Sequence, residues 1–391
     1  MHAIHRLVAR AALALVLVLA VPGIALAQDL IVKKEVFTLP SYTAVNGQTI
    51  RNVRVGYQAA GQLNAARDNV VLICHFFSGT SHAFGKYSAE DKAAGYWDAI
   101  IGPGKAIDTN KYFVISSDTL VNLNAKVPNV TTTGPASVNP DTGRPYGMAF
   151  PVVSIRDFVN VQKALLDSLG VKKLHTVAGA SMGAIQSIEW AAAYPEMVER
   201  AVAVISPGLE ADAYTIAMLD LWAMPIRLDP KWKKGDYAGG DEPLDGLGES
   251  LKFVTVSAVS NAWGDKRFAR KWAKEGADPG AAFSNLFAVE SALNSTGATR
   301  AKASDANSFL YLTRANQLFA VDPKRIRAKV LFVPVSSDLL FPPVMSKRAA
   351  DTLRAQGNTV EYFELATDGG HVDGVTQIGL AAKPIAEFLA K

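Results

Sequence analysis

The pentapeptide Gly179-Ala180-Ser181-Met182-Gly183 constrains this chain more than any other stretch. Residues 174–178 before it are mostly apolar, as suits an inner parallel strand. Residues 184–193 after it are rich in good helix formers, and Pro195 closes the run. A Gly-x-Ser-x-Gly in that setting predicts a sharp, strained strand-to-helix turn. Gly179 and Gly183 would let strand and helix approach closely beneath Ser181. The Ser181 hydroxyl would then stand exposed at the top of a sheet. The helix N-terminus would direct its partial positive charge toward a reacting oxygen. A nucleophilic serine also needs a base and an acid.

In α/β-hydrolases these follow in the order serine, acid, histidine. Of six histidines, His2 and His5 lie in the N-terminal segment, and His75, His82 and His175 precede Ser181. His371 alone follows it, in Asp368-Gly369-Gly370-His371, whose glycines would let the ring reach back over the sheet. Val333-Pro334-Val335-Ser336-Ser337-Asp338 supplies a strand, a short loop and a carboxylate. Asp338 would fix the His371 tautomer and stabilise the imidazolium formed when Ser181 gives up its proton. Asp351, on an expected helix, and Asp368 and Asp373, flanking the base, are weaker candidates for the acid.

The apolar run 70–74 leads into His75-Phe76-Phe77-Ser78-Gly79. In this fold the loop at that place supplies one oxyanion-hole amide and the residue after the nucleophile supplies the other. The candidates are the backbone N–H groups of Phe77 and Met182, a role in which side-chain identity matters little.

The remaining chain alternates strand and helix. Residues 31–60 look antiparallel, and 112–117, 201–205, 330–335 and 360–365 look like strands. Helices are expected at 153–169, 344–355 and 377–389, with a long polar loop over 118–151. This rhythm predicts an α/β-hydrolase fold, a mostly parallel central sheet flanked by helices. Residues 208–322 break it with helical patterns and no convincing strand, and are expected to form an inserted helical lid. The expected organisation is a signal peptide over 1–27, core over 28–207, lid over 208–322 and core again over 323–391.

Arg6 and Arg10, an apolar run over 11–21, Pro22-Gly23 and Ala25-Leu26-Ala27 match a cleavable export signal. The run is short for a membrane span. A periplasmic or secreted protein with no stable membrane anchor after cleavage is expected. The formal charge is +4, two of it from Arg6 and Arg10, with no long basic run. Nucleic-acid binding therefore has no electrostatic basis. Cys74 is the only cysteine, so an internal disulfide is excluded. It is expected to be a buried small hydrophobe. No metal-spaced His/Asp/Glu cluster or phosphate loop occurs, so neither metal nor nucleotide cofactor is expected.

Long strings in this chain resemble the homoserine O-acetyltransferases, a branch of the α/β-hydrolases. They include Cys74-His75 through Ser78-Gly79, Tyr96-Trp97-Asp98, Ile101-Gly102-Pro103-Gly104-Lys105-Ala106-Ile107-Asp108-Thr109 and Thr133-Gly134-Pro135. Asn139-Pro140 to Gly147, the elbow, Asp229-Pro230 to Tyr237, Asn307 to Arg314 and Leu340-Phe341-Pro342-Pro343 continue the likeness. The resemblance implies Ser181, Asp338 and His371 as a triad, the Phe77 and Met182 amides as oxyanion hole, and a helical lid over a tunnel. It also implies a homodimer through the lid helices.

The chain departs from that family at two charges. The family's lid arginine, which holds the amino-acid carboxylate, is placed at Ala223, with Arg227 nearby. The family's aspartate after the catalytic histidine is Val372 here, and Asp373 comes one later. A site lacking both should bind a zwitterion poorly. An exported protein also meets little acetyl-CoA. The first reading is thus an exported serine hydrolase acting on a small-molecule ester or similar acyl substrate, with Phe76, Phe77 and Phe84 favouring an uncharged one. The alternative is an acyltransferase of the homoserine O-acetyltransferase type. A non-catalytic binding module that keeps the fold is the third.

Overall fold

The computed structural model describes residues 29–391, and the expected export segment, residues 1–27, lies outside the described residues. At the centre runs β3 (Val70–Cys74), five apolar residues that are all fully buried. Its side chains alternate between two cores. Val70, Leu72 and Cys74 pack on one face of the sheet, and Val71 and Ile73 on the other. A strand covered on both faces needs such a continuous apolar run. Each buried Val, Leu or Ile contributes roughly 1.5–3 kcal/mol.

The other strands of the main sheet are β1 (Lys34–Thr43), β2 (Thr49–Ala60), β4 (Phe113–Ser117), β5 (Leu174–Ala180), β6 (Arg200–Val204), β7 (Lys329–Val333) and β8 (Val360–Tyr362). Their spatial order is β1-β2-β4-β3-β5-β6-β7-β8. β2 is antiparallel to both its neighbours, and every other pairing is parallel. The in-and-out alternation along β2 is interrupted at Asn52, which has φ 55°. Ile50, Val53 and Val55 are nonetheless all buried.

Helices α1 (Ile155–Ser168) and α2 (Met182–Ala193) cover one face. Asp157 accepts from the Ser154 amide at 2.7 Å, closing a capping box at the start of α1. Gly170, at φ 72°, ends that helix region as its left-handed terminator. Between β6 and β7 come α3 (Ala213–Leu228), α4 (Leu244–Ser257), α5 (Asn261–Arg267), α6 (Ala288–Ala303) and α7 (Ala306–Gln317). Asp212 caps α3 through the Thr215 amide at 2.9 Å, and Asp305 caps α7 through the Ser308 amide at 2.7 Å. α4 and α6 cross so closely that a Cβ on Gly297 would lie 2.6 Å from the Gly248 carbonyl oxygen.

The C-terminal region differs from expectation. The last strand stops at Tyr362, and Leu365 makes only an isolated bridge to Val335. After α8 (Pro343–Ala355), the single closing helix expected over 377–389 is broken. It becomes α9 (Asp373–Thr376), a 3-10 turn (Ile378–Ala381) and α10 (Ala382–Leu389). Pro384 explains the break. It has no N–H and its ring clashes with the carbonyl four residues back, so it is tolerated only in a first helical turn. Among the described residues no helix is long and apolar enough to cross a membrane.

Candidate active site

The turn between β5 and α2 places Ser181 at φ 56° and ψ −119°, a conformation that L-residues rarely adopt. The two flanking glycines permit it. A Cβ on Gly183 would overlap the Cys74 carbonyl oxygen, and one on Gly179 would overlap the Gly183 backbone. The Ser181 amide donates to the Val204 carbonyl at 2.9 Å, tying the turn to β6.

His371 Nε2 lies 2.8 Å from Ser181 Oγ, and His371 Nδ1 lies 2.7 Å from Asp338 Oδ2. A carboxylate only accepts, so Nδ1 carries the proton and Nε2 is left to accept from the serine. Asp338 Oδ1 accepts from the amides of Leu340 at 2.8 Å and Phe341 at 2.9 Å. Both carboxylate oxygens are therefore committed, and the group is held in one orientation. Asp338 is 2 % exposed, His371 6 % and Ser181 9 %, so the relay is nearly closed to bulk water. The Phe341 ring stands edge-on to the imidazole at 5.3 Å. The Gly370 amide donates to Ser337 Oγ at 3.0 Å, joining the acid and histidine loops directly.

The weaker acids are elsewhere. Asp373 accepts from the Gly369 amide at 2.8 Å and braces the histidine loop. Asp368 pairs with Lys266 of the lid, and Asp351 pairs with Lys347 at 3.1 Å on the exposed face of α8.

Phe77 lines the same cavity from the loop after β3, and Met182 is the first residue of α2. An amide at that helix position has no intrahelical acceptor. The Phe77 ring is anchored edge-on against Phe309 at 5.2 Å and Trp222 at 5.7 Å. His75, given no role by the sequence, holds this loop. It is fully buried, and burial pushes its pKa down, keeping the ring neutral. Nδ1 donates to the Phe76 carbonyl at 2.8 Å, while Nε2 accepts from the Thr119 amide at 3.2 Å. Asn122 and Asn124 donate to the carbonyls of Gly79 and Ser78 at 3.1 and 2.9 Å. The loop is thus fixed through three of its carbonyls.

A cavity of about 360 Å³ opens over Ser181 and His371. Phe76, Phe77, Ile205, Trp222, Val254, Val259, Leu340, Val372 and Val375 make its walls apolar. No Asp or Glu lines it, and Arg300 of α6 is its one cationic residue. Neither Ala223, at the position of the family's lid arginine, nor Arg227 brings a charge to this cavity. Ala223 and Arg227 line a different pocket, and Arg227 is ion-paired to Asp220 at 2.8 Å. Consecutive residues of α3 point about 100° apart around its axis, so the cavity receives the Trp222 indole and not Ala223. Phe84, expected to shape the substrate site, is wholly buried in the opposite core. Among the described residues no group of three or more His, Cys, Asp or Glu is placed to hold a metal ion.

The model of the alpha/beta hydrolase fold family matches residues 69–376. A homoserine O-acetyltransferase of Methanococcoides burtonii is 38% identical over 351 residues, covering 88% of this chain and 70% of that one. Among solved structures, a homoserine O-acetyltransferase from Bacillus anthracis has 39% identity and a TM-score of 0.88, covering 93% of this chain and 98% of that one. Esterase E22 has 48% identity and a TM-score of 0.88, covering 92% of this chain and all of that one.

Proposed function

The chain belongs to the alpha/beta hydrolase fold family and, within it, to the homoserine O-acetyltransferase-like group, and on that premise we propose that it hydrolyses esters through an acyl-enzyme on Ser181. Ser181 Oγ attacks the acyl carbonyl while His371 Nε2 takes its proton. Asp338 holds the opposite ring N–H and stabilises the imidazolium. The oxyanion receives the Phe77 and Met182 amides, each worth roughly 10²–10³ in rate in sites of this kind. Collapse breaks the carbonyl–alkoxy bond, and His371 returns the proton to the leaving alcohol. Water, deprotonated by His371, then attacks the acyl-serine and releases the acid.

One observation carries the choice of water as acceptor. The cavity has no acidic side chain in its lining. The ammonium of an amino-acid acceptor would be desolvated there without a partner, which is strongly unfavourable. The 48% identity to a protein named an esterase supports the same reading.

Acyl transfer is the second reading, and a specific observation favours it. The curated relatives at 34–40% identity are named homoserine O-acetyltransferases. Both reactions share the acyl-serine, so the triad geometry is common to them. They differ in which nucleophile reaches it inside the cavity. Work outside the cytoplasm is part of the first reading and is supported by Arg6, Arg10 and Ala25-Leu26-Ala27.

The test of the acyl-enzyme is covalent. A fluorophosphonate probe should label the wild type at Ser181 and leave Ser181→Ala unlabelled, with ester cleavage lost in parallel. A folded wild type that takes no label would favour a binding module.

A further inference from the structure

Arg300 is the group in the catalytic cavity that the proposed reaction does not use. It stands on α6, one turn beyond Gly297, at the close crossing of α6 on α4. That crossing brings it to Thr255 of α4, and its Nη1 donates to Thr255 Oγ1 at 3.0 Å. The Thr255 hydroxyl is itself committed as donor to the Leu251 carbonyl at 2.8 Å, so it orients the guanidinium without neutralising it. Among the described residues this is the only side-chain hydrogen bond the Arg300 guanidinium makes, and it pairs with no carboxylate within 4.0 Å. Burial lowers its pKa, with no acidic neighbour opposing the effect.

A half-buried guanidinium without a counter-charge costs desolvation that packing alone does not return. Its remaining donors form a planar fork, suited to accept a carboxylate through two parallel bonds. The walls around it are apolar, which strengthens any charge pair formed inside. The cavity therefore offers one cationic end, one reactive serine and no anionic group.

We propose that Arg300 is a specificity-determining residue that binds a carboxylate carried by the substrate, making this a site for monoanionic esters. The inference rests on the ester-hydrolase reading above and deepens it. It replaces the uncharged substrate suggested by the phenylalanines, because the aromatic residues wall the cavity while Arg300 lines it as its cation. A zwitterion is disfavoured for lack of an acid to meet its ammonium. The carboxylate can sit on the acyl side or the alcohol side of the scissile bond.

Two matched pairs of esters separate those sides. 4-Nitrophenyl hydrogen glutarate is compared with its methyl ester for an acyl-side anion, following nitrophenol. 4-Acetoxybutanoate is compared with its methyl ester for an alcohol-side anion, following acetate. In at least one pair the wild type should favour the anion by roughly 10- to 100-fold in kcat/KM, the usual range for a charged hydrogen bond. Arg300→Met should abolish that preference, and Arg300→Lys should keep part of it as a point charge. Calorimetric binding of the same anions to Ser181→Ala, with and without Arg300→Met, reads the contact independently of turnover. Arg300-dependent binding without ester cleavage would sustain this inference and overturn the hydrolase reading. Cleavage with no preference for the anion in either pair, or a preference that survives Arg300→Met, would overturn the inference and leave the hydrolase reading standing.

Discussion

Gly183, the first glycine of α2, lies against the carbonyl of Cys74, the last residue of β3, with no room for a methyl group between them. The contact joins the two structures that carry the proposed oxyanion hole. β3 leads into the Phe77 loop, and α2 begins with the Met182 amide. Gly183→Ala would push the helix from the strand and separate the two donors. We expect a loss of at least 100-fold in kcat, the scale of one oxyanion donor, with a destabilisation of about 1–3 kcal/mol from overpacking. Ester kinetics and denaturant unfolding of the purified variant check both parts.

Asp338 offers a separate prediction, because each of its oxygens has a defined partner. Asp338→Asn would retain the shape but present an amide N–H to either the imidazole or the backbone amides. The His371 tautomer would reverse, leaving no acceptor at Nε2. A drop of roughly 10⁴ in kcat is expected, with KM little changed. Steady-state kinetics on a neutral ester measures it.

Acid should destabilise the fold through histidines held neutral. His175 is pushed down to about 4, by burial first and then by Arg200, whose Nη1 lies 3.3 Å from its Nε2. The unfolded ring titrates near 6.5 and so binds more protons than the folded one between these values. The stabilising contribution is complete above about pH 6.5 and is lost as pH falls toward about 4. His75 acts in the same direction. His175→Gln should show a flatter dependence of Tm on pH across this window, measured by calorimetric scans in matched ionic strength.

The lid carries an exposed apolar stripe. Tyr214, Leu221 and Leu228 of α3 recur every seven residues and are 73 %, 51 % and 71 % exposed. Such a face suits a second helix, and the resemblance implies a lid-mediated homodimer. Leu221→Glu should shift the protein to monomer in sedimentation velocity. A wild type that sediments as a monomer at tens of micromolar removes this expectation.

Local signals carried most of the site. The elbow announced itself because two glycines and a serine must occupy fixed places in a tight turn. His371 stood out because no other histidine follows Ser181 in the chain. Asp338 was legible from its place after a buried strand. Arg300 was not, since its meaning depends on how closely α6 crosses α4, which no spacing within either helix reveals. Nor does spacing along α3 reveal that Ala223, at the position of the family's lid arginine, lines a different pocket. The apolar rhythm over 377–389 predicts one helix, and Pro384 overrides it.

In the proposed reaction water, not an amino-acid alcohol, receives the acyl group from Ser181. The most direct measurement follows the acetyl group itself. 4-Nitrophenyl acetate is offered to residues 28–391 with and without homoserine, and free acetate and O-acetylhomoserine are both quantified, with Ser181→Ala alongside. The account predicts Ser181-dependent release of nitrophenol and an equal yield of free acetate whatever the homoserine concentration. Accumulation of O-acetylhomoserine at the expense of acetate would contradict it and make acyl transfer the function of this cavity.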